Sequence, residues 1–528
     1  MRSGRVMAAA IGVVFLASGR PGGTAPHGAP GLGIFTDATD VGTPSAGGGS
    51  SARFDAERNV YTVAGGGANM WGTADHFHYV WTKVSGDVML EATAEFVGTS
   101  PATGSPNGHR KACLVIRQTL DSDSVYADAA AHGDGLTALQ WRDAKGGVTR
   151  EVQANVVGPR RLRLEKRGNY VSMSIAGPGE ELHPAGGSAR IALTGEFYVG
   201  LGVTSHDAGR IETAAFSAVA LSTPPPAPAA ARMTLVNTLE TMSVQSGDRR
   251  VAYVLTQPGR LEAPNWFPDD TNTLFFNNGG KLYRIQAEPP GTAPNPHRRQ
   301  VPEPVDLGIL TRINNDHGVT RDGKMWAISD QSQTVNGARP SLIYTVPVGG
   351  GEVRRLTERG PSYFHGWSPA GTALAYCAQR DGNFDVYSIA LDGGTEKRLT
   401  TAPGKDDGPE YSPDGRYIYF NSDRTGTMQI WRMMADGSEQ EQITKDESLE
   451  SWFPHPSPDG KSIVFLTYDK GVGDHPENKD VALRLMDLTT RHVRLLTKLF
   501  GGQGTINVSS WSPDGRYIAF VSYQLVPQ

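Results

Sequence analysis

Polar and apolar positions along this chain alternate in short runs with a period near two, and no long segment carries the three-to-four spacing of an amphipathic helix face. In the second half one phrase recurs, Ser-Pro-Asp-Gly followed by a short apolar strand. It begins at Tyr411, Pro456 and Trp511, with a variant at Trp367 where Ala370 replaces the Asp, and worn copies at Trp266 and Val319. The equivalent anchors are Pro268, Arg321, Pro369, Pro413, Pro458 and Pro513, spaced 53, 48, 44, 45 and 55 residues apart. Each unit reads as an inner strand, a Pro-Asp-Gly turn, a second strand, a hairpin, a third strand such as Asp385–Ile389 or Gln429–Met433, and a short last strand. Four strands at this period predict propeller blades, and six anchors predict six of them. One strand follows the last anchor, so the missing strands of the sixth unit are expected from residues 233–255.

These repeats resemble the TolB-like propeller family, whose blades carry a Trp-Ser-Pro-Asp-Gly turn and an Ile-Ala-Phe strand. The resemblance covers residues 232–528 and implies a six-bladed β-propeller built from PD40-type repeats. A fold of this kind hosts both binding proteins and enzymes, so function has to be argued from its site.

The first half shows a different alternation. Strands are predicted at Val88–Phe96, Ala112–Gln118, Tyr126–Ala130, Leu136–Trp141, Arg161–Lys166, Tyr170–Ile175 and Phe197–Thr204, with Gly-rich turns between them. Many short strands at this spacing predict a β-sandwich over 34–221. The segment around Trp71, the strand from Arg110 to Gln118 and the stretch from Ala131 to Trp141 resemble the laminin-G/concanavalin-like sandwiches found beside carbohydrate-active modules. The fold expected for the whole chain is therefore all-β, a sandwich followed by a propeller. Residues 222–231, rich in Pro and Ala, divide the halves as a semi-rigid spacer with few contacts crossing it.

Composition sharpens the setting. Residues 1–19 have Arg2 and Arg5 ahead of an apolar run from Val6 to Ala17 and small residues at the end, the pattern of a secretory signal. Residues 20–33 are rich in Gly, Pro and Ala and are expected to be disordered. The expectation is a periplasmic or secreted protein without a membrane span. A net charge of -5 with scattered Lys and Arg argues against a nucleic-acid partner. The two cysteines, Cys113 and Cys377, lie in separate apolar strands and read as two buried thiols rather than a bridge.

Candidate chemistry concentrates just upstream of the turns, where inner strands converge on a channel. There the sequence has His317, His365, Glu410 and His455, with Asp316 and Asp407 close by. Imidazoles with a carboxylate suit either acid–base catalysis or a divalent metal (Mn, Zn or Ca), for which His317, His365 and His455 are the candidate ligands. His317 and His365 are one residue out of step with Glu410 and His455, so strict alternation would aim the two pairs differently. Arg339, Arg380 and Arg424 on the hairpins, together with Asp407 and, in the sandwich, His132, are candidate substrate contacts. Arg117, Gln140, Arg142, Trp71, Trp81 and Trp141 would suit a sugar-facing sheet. Two functions follow: an exported carbohydrate-active or glycan-binding protein with lyase or hydrolase chemistry in the funnel, or a non-catalytic propeller that holds a protein or peptide in the cell envelope. No phosphate loop, Gly-x-Ser-x-Gly elbow, His-Glu-x-x-His or paired CxxC is present.

Overall fold

A computed structural model describes residues 31–43, 49–98, 107–158, 161–225, 233–269, 272–287, 289–291 and 300–527. The expected signal at 1–19, most of the 20–33 segment and residues 226–231 of the spacer lie outside the described residues.

The repeated turn is a local device with a clear cause. In three copies the serine hydroxyl donates to the Asp two residues on: Ser412 to Asp414 (2.6 Å), Ser457 to Asp459 (2.7 Å) and Ser512 to Asp514 (2.6 Å). The same oxygen accepts the amide that starts the second strand, from Tyr417 (2.9 Å), Ser462 (3.0 Å) and Tyr517 (3.0 Å). The glycine closes the turn at φ 70–72°, where a Cβ would be strained. Thr320 and Asp322 reproduce the device in a worn copy at 2.7 Å. The turn therefore satisfies its own polar groups and needs no tertiary partner to form.

Each turn opens an antiparallel four-stranded sheet, and there are five such sheets among the described residues. Their inner strands are Leu261–Trp266, Ile313–Val319, Ser362–Trp367, Asp406–Tyr411 and Leu449–Pro456. Apolar side chains on facing sheets interdigitate between neighbours. Ala327 and Ile343 of the second sheet, for example, pack with Phe364, Leu374 and Tyr376 of the third. Each such fully buried Leu or Ile contributes about 1.5–3 kcal/mol.

Six separate four-stranded blades were expected, and five are found. The sixth repeat, at Trp511, has one long strand after its turn, Tyr517–Pro527. That strand pairs along its whole length with Met233–Ser243, which pairs in turn with Arg249–Leu255. Arg249–Leu255 then lies parallel to Arg150–Gln153 of the N-terminal half, so these strands end a ten-stranded sheet instead of making a sheet of their own. The strand Tyr517–Pro527 touches the first inner strand on one side and Val493–Gly502 of the fifth sheet on the other, which completes the ring.

The N-terminal half contributes the other seven strands of that sheet and a second sheet of eight strands. Leu114, Ala129 and Leu139 from the first sheet and Leu90, Leu162 and Phe216 from the second belong to one buried apolar cluster. Contacts across the spacer are more extensive than its composition suggests. Arg249 and Glu240, both fully buried, are paired at 2.7 Å, Arg249 also donates to the Ser188 carbonyl at 3.0 Å, and Arg190 reaches Asp480 at 3.0 Å. Cys113 and Cys377 are free and buried.

Candidate functional site

All five inner strands break register near their middle, between Glu262 and Asn265, Ile313 and His317, Phe364 and Gly366, Asp407 and Glu410, and Trp452 and His455. A bulge places an extra residue against its partner strand and re-aims the side chains that follow. Ala263, Gly408 and Phe453 take positive φ of 53°, 62° and 54° there. This resolves the phase difference along the strands. His365 sits on its bulge, whereas His317, Glu410 and His455 follow theirs in paired register.

On the turn side the channel opens into a cavity of ≈ 290 Å³. Trp266, Trp367, Tyr411 and Trp511 line it, the prolines of the repeated turns rim it, and His317, His365 and Glu410 form its polar depth. His455 lies beside Glu410 and is buried. Its Nδ1 donates to the Glu410 carboxylate at 2.6 Å, and its Nε2 donates to the Ile506 carbonyl. His317 is fully buried, and neither of its nitrogens has a hydrogen-bond partner. Burial pushes its imidazole down to about 3, a shift the Ala263 carbonyl opposes without reaching hydrogen-bonding geometry.

Toward the other mouth His365 meets Asp407, with Nε2 3.2 Å from Oδ1. Asp407 is also approached by Lys405 at 3.4 Å and His475 at 3.6 Å. His475 comes from the enlarged hairpin after Asp469, which Lys405 pins through Asp474 at 2.8 Å. Glu450 holds the hairpin's Gly471 and Gly473 amides at 2.9 and 3.1 Å. Burial would raise the Asp407 carboxyl, but Lys405, His365 and His475 hold it well below the carboxylate range. Burial likewise works against a charged His365, and the hydrogen bond to Asp407 with the nearby Asp316 charge outweighs it, so its value is raised. Asp316, buried and repelled by Asp407 although His365 opposes the shift, is pushed up to about 6.

The structure thus brings His317, His365 and Glu410 to one cavity with His455 behind it, and ties Asp407 to His365. It does not assemble a metal site from His317, His365 and His455. Both nitrogens of His455 face oxygen acceptors, His365 is engaged by Asp407, and no group of three His, Cys, Asp or Glu among the described residues is arranged to hold a metal. The residues do not fit the Mn, Zn or Ca ion expected of them.

Two of the arginines also require correction. Arg380 is buried, donates to Glu396 at 2.8 Å through both Nε and a terminal nitrogen, and binds the carbonyls of Pro361 and Arg359. Arg424 clasps Asp406 at 2.8 and 2.9 Å and lies over Trp431. Both latch the blade edge and have no face left for a substrate. Arg339 is exposed in the hairpin between 330 and 342, away from the cavity lining. His132 lies in the N-terminal half, nearly buried, with Nδ1 donating to the Leu136 carbonyl at 3.0 Å. On the same sheet Arg117 and Arg142 are fully buried around Asp75, at 3.4 and 2.8 Å, and Gln140 lies between Lys111 and Glu151. That face is packed and does not present these groups to a sugar.

The sequence reading did not single out Asn265, Trp266 or Lys405 for this site. Lys405 immediately precedes the inner-strand pair Asp406-Asp407, which was the available signal. Asn265 and Trp266 look like ordinary strand residues until the bulge turns them to the channel.

Comparison with known proteins agrees with this architecture. The TolB beta propeller domain family, PD40, matches residues 358–526. An uncharacterized protein of Agrobacterium fabrum is 47% identical over 275 residues, which are 52% of this chain and 89% of the relative. The solved structure of a putative TolB from Agrobacterium tumefaciens is similar with 47% identity and a TM-score of 0.50, covering 56% of this chain and 99% of that one. TolB from Acinetobacter baumannii is more remote, at 20% identity and a TM-score of 0.35 over 50% of this chain and 64% of that one. With the repeated turns, the channel they surround and a relative of this identity matched along most of its length, the chain belongs to the TolB-like PD40 β-propeller family.

Proposed function

We propose that this protein is a non-catalytic interaction module whose turn-side cavity holds an extended peptide segment of a protein partner in the cell envelope. The observation that carries the reading is the composition of the cavity. Half-buried Trp367 and Tyr411 and the repeated prolines form a rigid apolar mouth, while the groups suited to acid–base work, His365 and His455, are engaged by Asp407 and Glu410. Rigid aromatic and proline surfaces lose little conformational freedom on binding, and aromatic anchors carry much of the energy of peptide interfaces. The ≈ 290 Å³ volume is at the lower end of small-ligand pockets and suits one or two side chains.

The leader-like residues 1–19 support an exported, periplasmic or secreted setting. No helix long and apolar enough to cross a membrane is present among the described residues. In the N-terminal half, the two sheets facing one apolar cluster support the finer reading of a concanavalin/laminin-G-like sandwich. A carbohydrate-active role has no comparable support, because the polar side chains suited to it are either buried in that half or paired in the channel.

Selection from a random peptide library, followed by equilibrium binding of the selected peptides, tests the proposal. Trp367→Ala and Tyr411→Ala are each expected to weaken binding by about tenfold. Selected peptides that bind both variants as well as the native protein would place the partner elsewhere. Cleavage of a uronate-containing oligosaccharide, abolished by Glu410→Gln, would overturn the non-catalytic reading.

A further inference from the structure

Three neighbouring side chains on one wall of the turn-side cavity have polar atoms that nothing in the protein satisfies. They are Asn265 Oδ1, Trp266 Nε1 and both nitrogens of His317. Their residues are 5%, 4% and 0% exposed, and all three line the cavity. Buried polar groups are nearly always paired, because an unpaired one forfeits its hydration without return, so several orphans on one wall mark a place where a ligand completes the bonding.

Their chemistry limits what that ligand carries. Trp266 Nε1 can only donate, and Asn265 Oδ1 can only accept. His317 stays uncharged across the physiological range, since burial pushes it to about 3, and a neutral imidazole offers one donor and one acceptor. A carboxylate entering the cavity would meet the Asn265 oxygen and the Glu410 carboxylate lining the same space. An ammonium would meet the Trp266 N–H and, across the channel, His365, whose raised value favours positive charge. An uncharged group that both donates and accepts satisfies the wall.

Resting on the peptide-binding reading, we infer that this wall recognises a carboxamide, the side chain of an Asn or Gln in the bound segment, held between Asn265, Trp266 and His317. The carbonyl of that amide accepts from Trp266 or His317, and its NH₂ donates to Asn265 or to the other His317 nitrogen.

The test uses the full chain and N-acetylated, C-amidated hexapeptide mixtures whose central residue is fixed as Gln, Asn, Glu, Met or Lys, with affinity read by fluorescence competition. The Gln or Asn mixture should bind about tenfold more tightly than those with Glu, Met or Lys, because the last three leave the wall unpaired or mismatched. His317→Leu and Asn265→Leu should each flatten that preference to about twofold or less while unfolding at or above the native temperature, since each removes an unpaired polar group. Trp266→Phe keeps the ring, loses the donor and serves if either variant fails to fold. Equal or tighter binding of Glu or Met overturns the carboxamide inference and leaves the peptide reading standing, as does a preference that survives in the variants. If no hexapeptide mixture binds, the peptide reading and this inference fall together.

Discussion

The two walls of the propeller channel contrast sharply. On the wall built by the third, fourth and fifth sheets every chemical group is matched: His365 with Asp407, Asp407 with Lys405 and His475, and Glu410 with His455. On the wall built by the first two sheets, Asn265, Trp266 and His317 are as deeply buried and have unmatched atoms. The first arrangement is what stability requires of buried polar groups. The second costs stability, and it makes sense where an outside molecule supplies the missing partners. Histidines that look equivalent along the repeat thus divide into two kinds, one holding the blades together and the other held open.

This contrast predicts opposite responses to substitution. The largest effect is expected for Asp407→Ala, which leaves Lys405 and His365 buried beside an empty position. Urea unfolding at neutral pH should show a loss of about 3–5 kcal/mol. A loss well under 1 kcal/mol would mean that the matched wall contributes little.

His455→Ala should cost about 2 kcal/mol, by orphaning the Ile506 carbonyl and removing the donor from Glu410. His317→Leu provides the counterpart, with a change within about 1 kcal/mol of zero and of stabilising sign where the packing accepts it. If the two substitutions destabilise equally, the walls are not different in kind.

The inner-strand repeat made candidates of His317, His365, Glu410 and His455 together, because each lies just upstream of a turn whose spacing is visible in the sequence. It could not divide them between the walls. That division depends on which residue sits on a bulge and on which neighbouring blade supplies a partner, and both are set by contacts 40 or more residues apart, such as Glu410 with His455, |i−j| = 45. The arginines show the converse limit. Arg380 and Arg424 resemble ligand contacts in an alignment of hairpins, and only their partners Glu396 and Asp406 reveal them as latches.

The pH dependence sharpens the contrast further. The Asp407 value is depressed, so its contribution is present above its ordinary value of 3.8 and is lost as pH falls through the depressed one. The His365 value is raised, so its contribution is full below its ordinary value of 6.5 and is lost as pH rises through the raised one. The stability difference between the native protein and Asp407→Asn should therefore be greatest between about pH 4 and 6.5 and shrink on either side, by about 1–2 kcal/mol. A difference that stays flat across denaturation curves from pH 3 to 9 would remove the ion pair from the account.

The smallest effect concerns Asp316. Its raised value, about 6, marks a carboxylate that costs stability above that pH and costs nothing below 3.8. Asp316→Asn should stabilise the protein by about 1 kcal/mol at pH 8 and leave it unchanged at pH 3.5, measured by the same unfolding curves.

The sequence alone determined what local chemistry can determine. Serine, aspartate and glycine at fixed offsets close the repeated turn with their own hydrogen bonds, and the apolar strand after each turn has its edges and length encoded in the same few residues. Strands expected in the N-terminal half, such as Val88–Phe96 and Tyr170–Ile175, stand within a residue or two of where alternation put them. Tertiary structure decided the rest. The last repeat supplies a single strand, and it borrows Met233–Ser243 and Arg249–Leu255, which then extend onto Arg150–Gln153, so five blades and one shared sheet stand where repeat counting gave six blades and a loose spacer. A strand edge takes whichever backbone partner the folded chain brings alongside, and hydrogen-bonding edges carry no label in the sequence. The same holds for the channel: the residue types were legible, but whether a buried nitrogen finds an oxygen depends on the blade that arrives next to it.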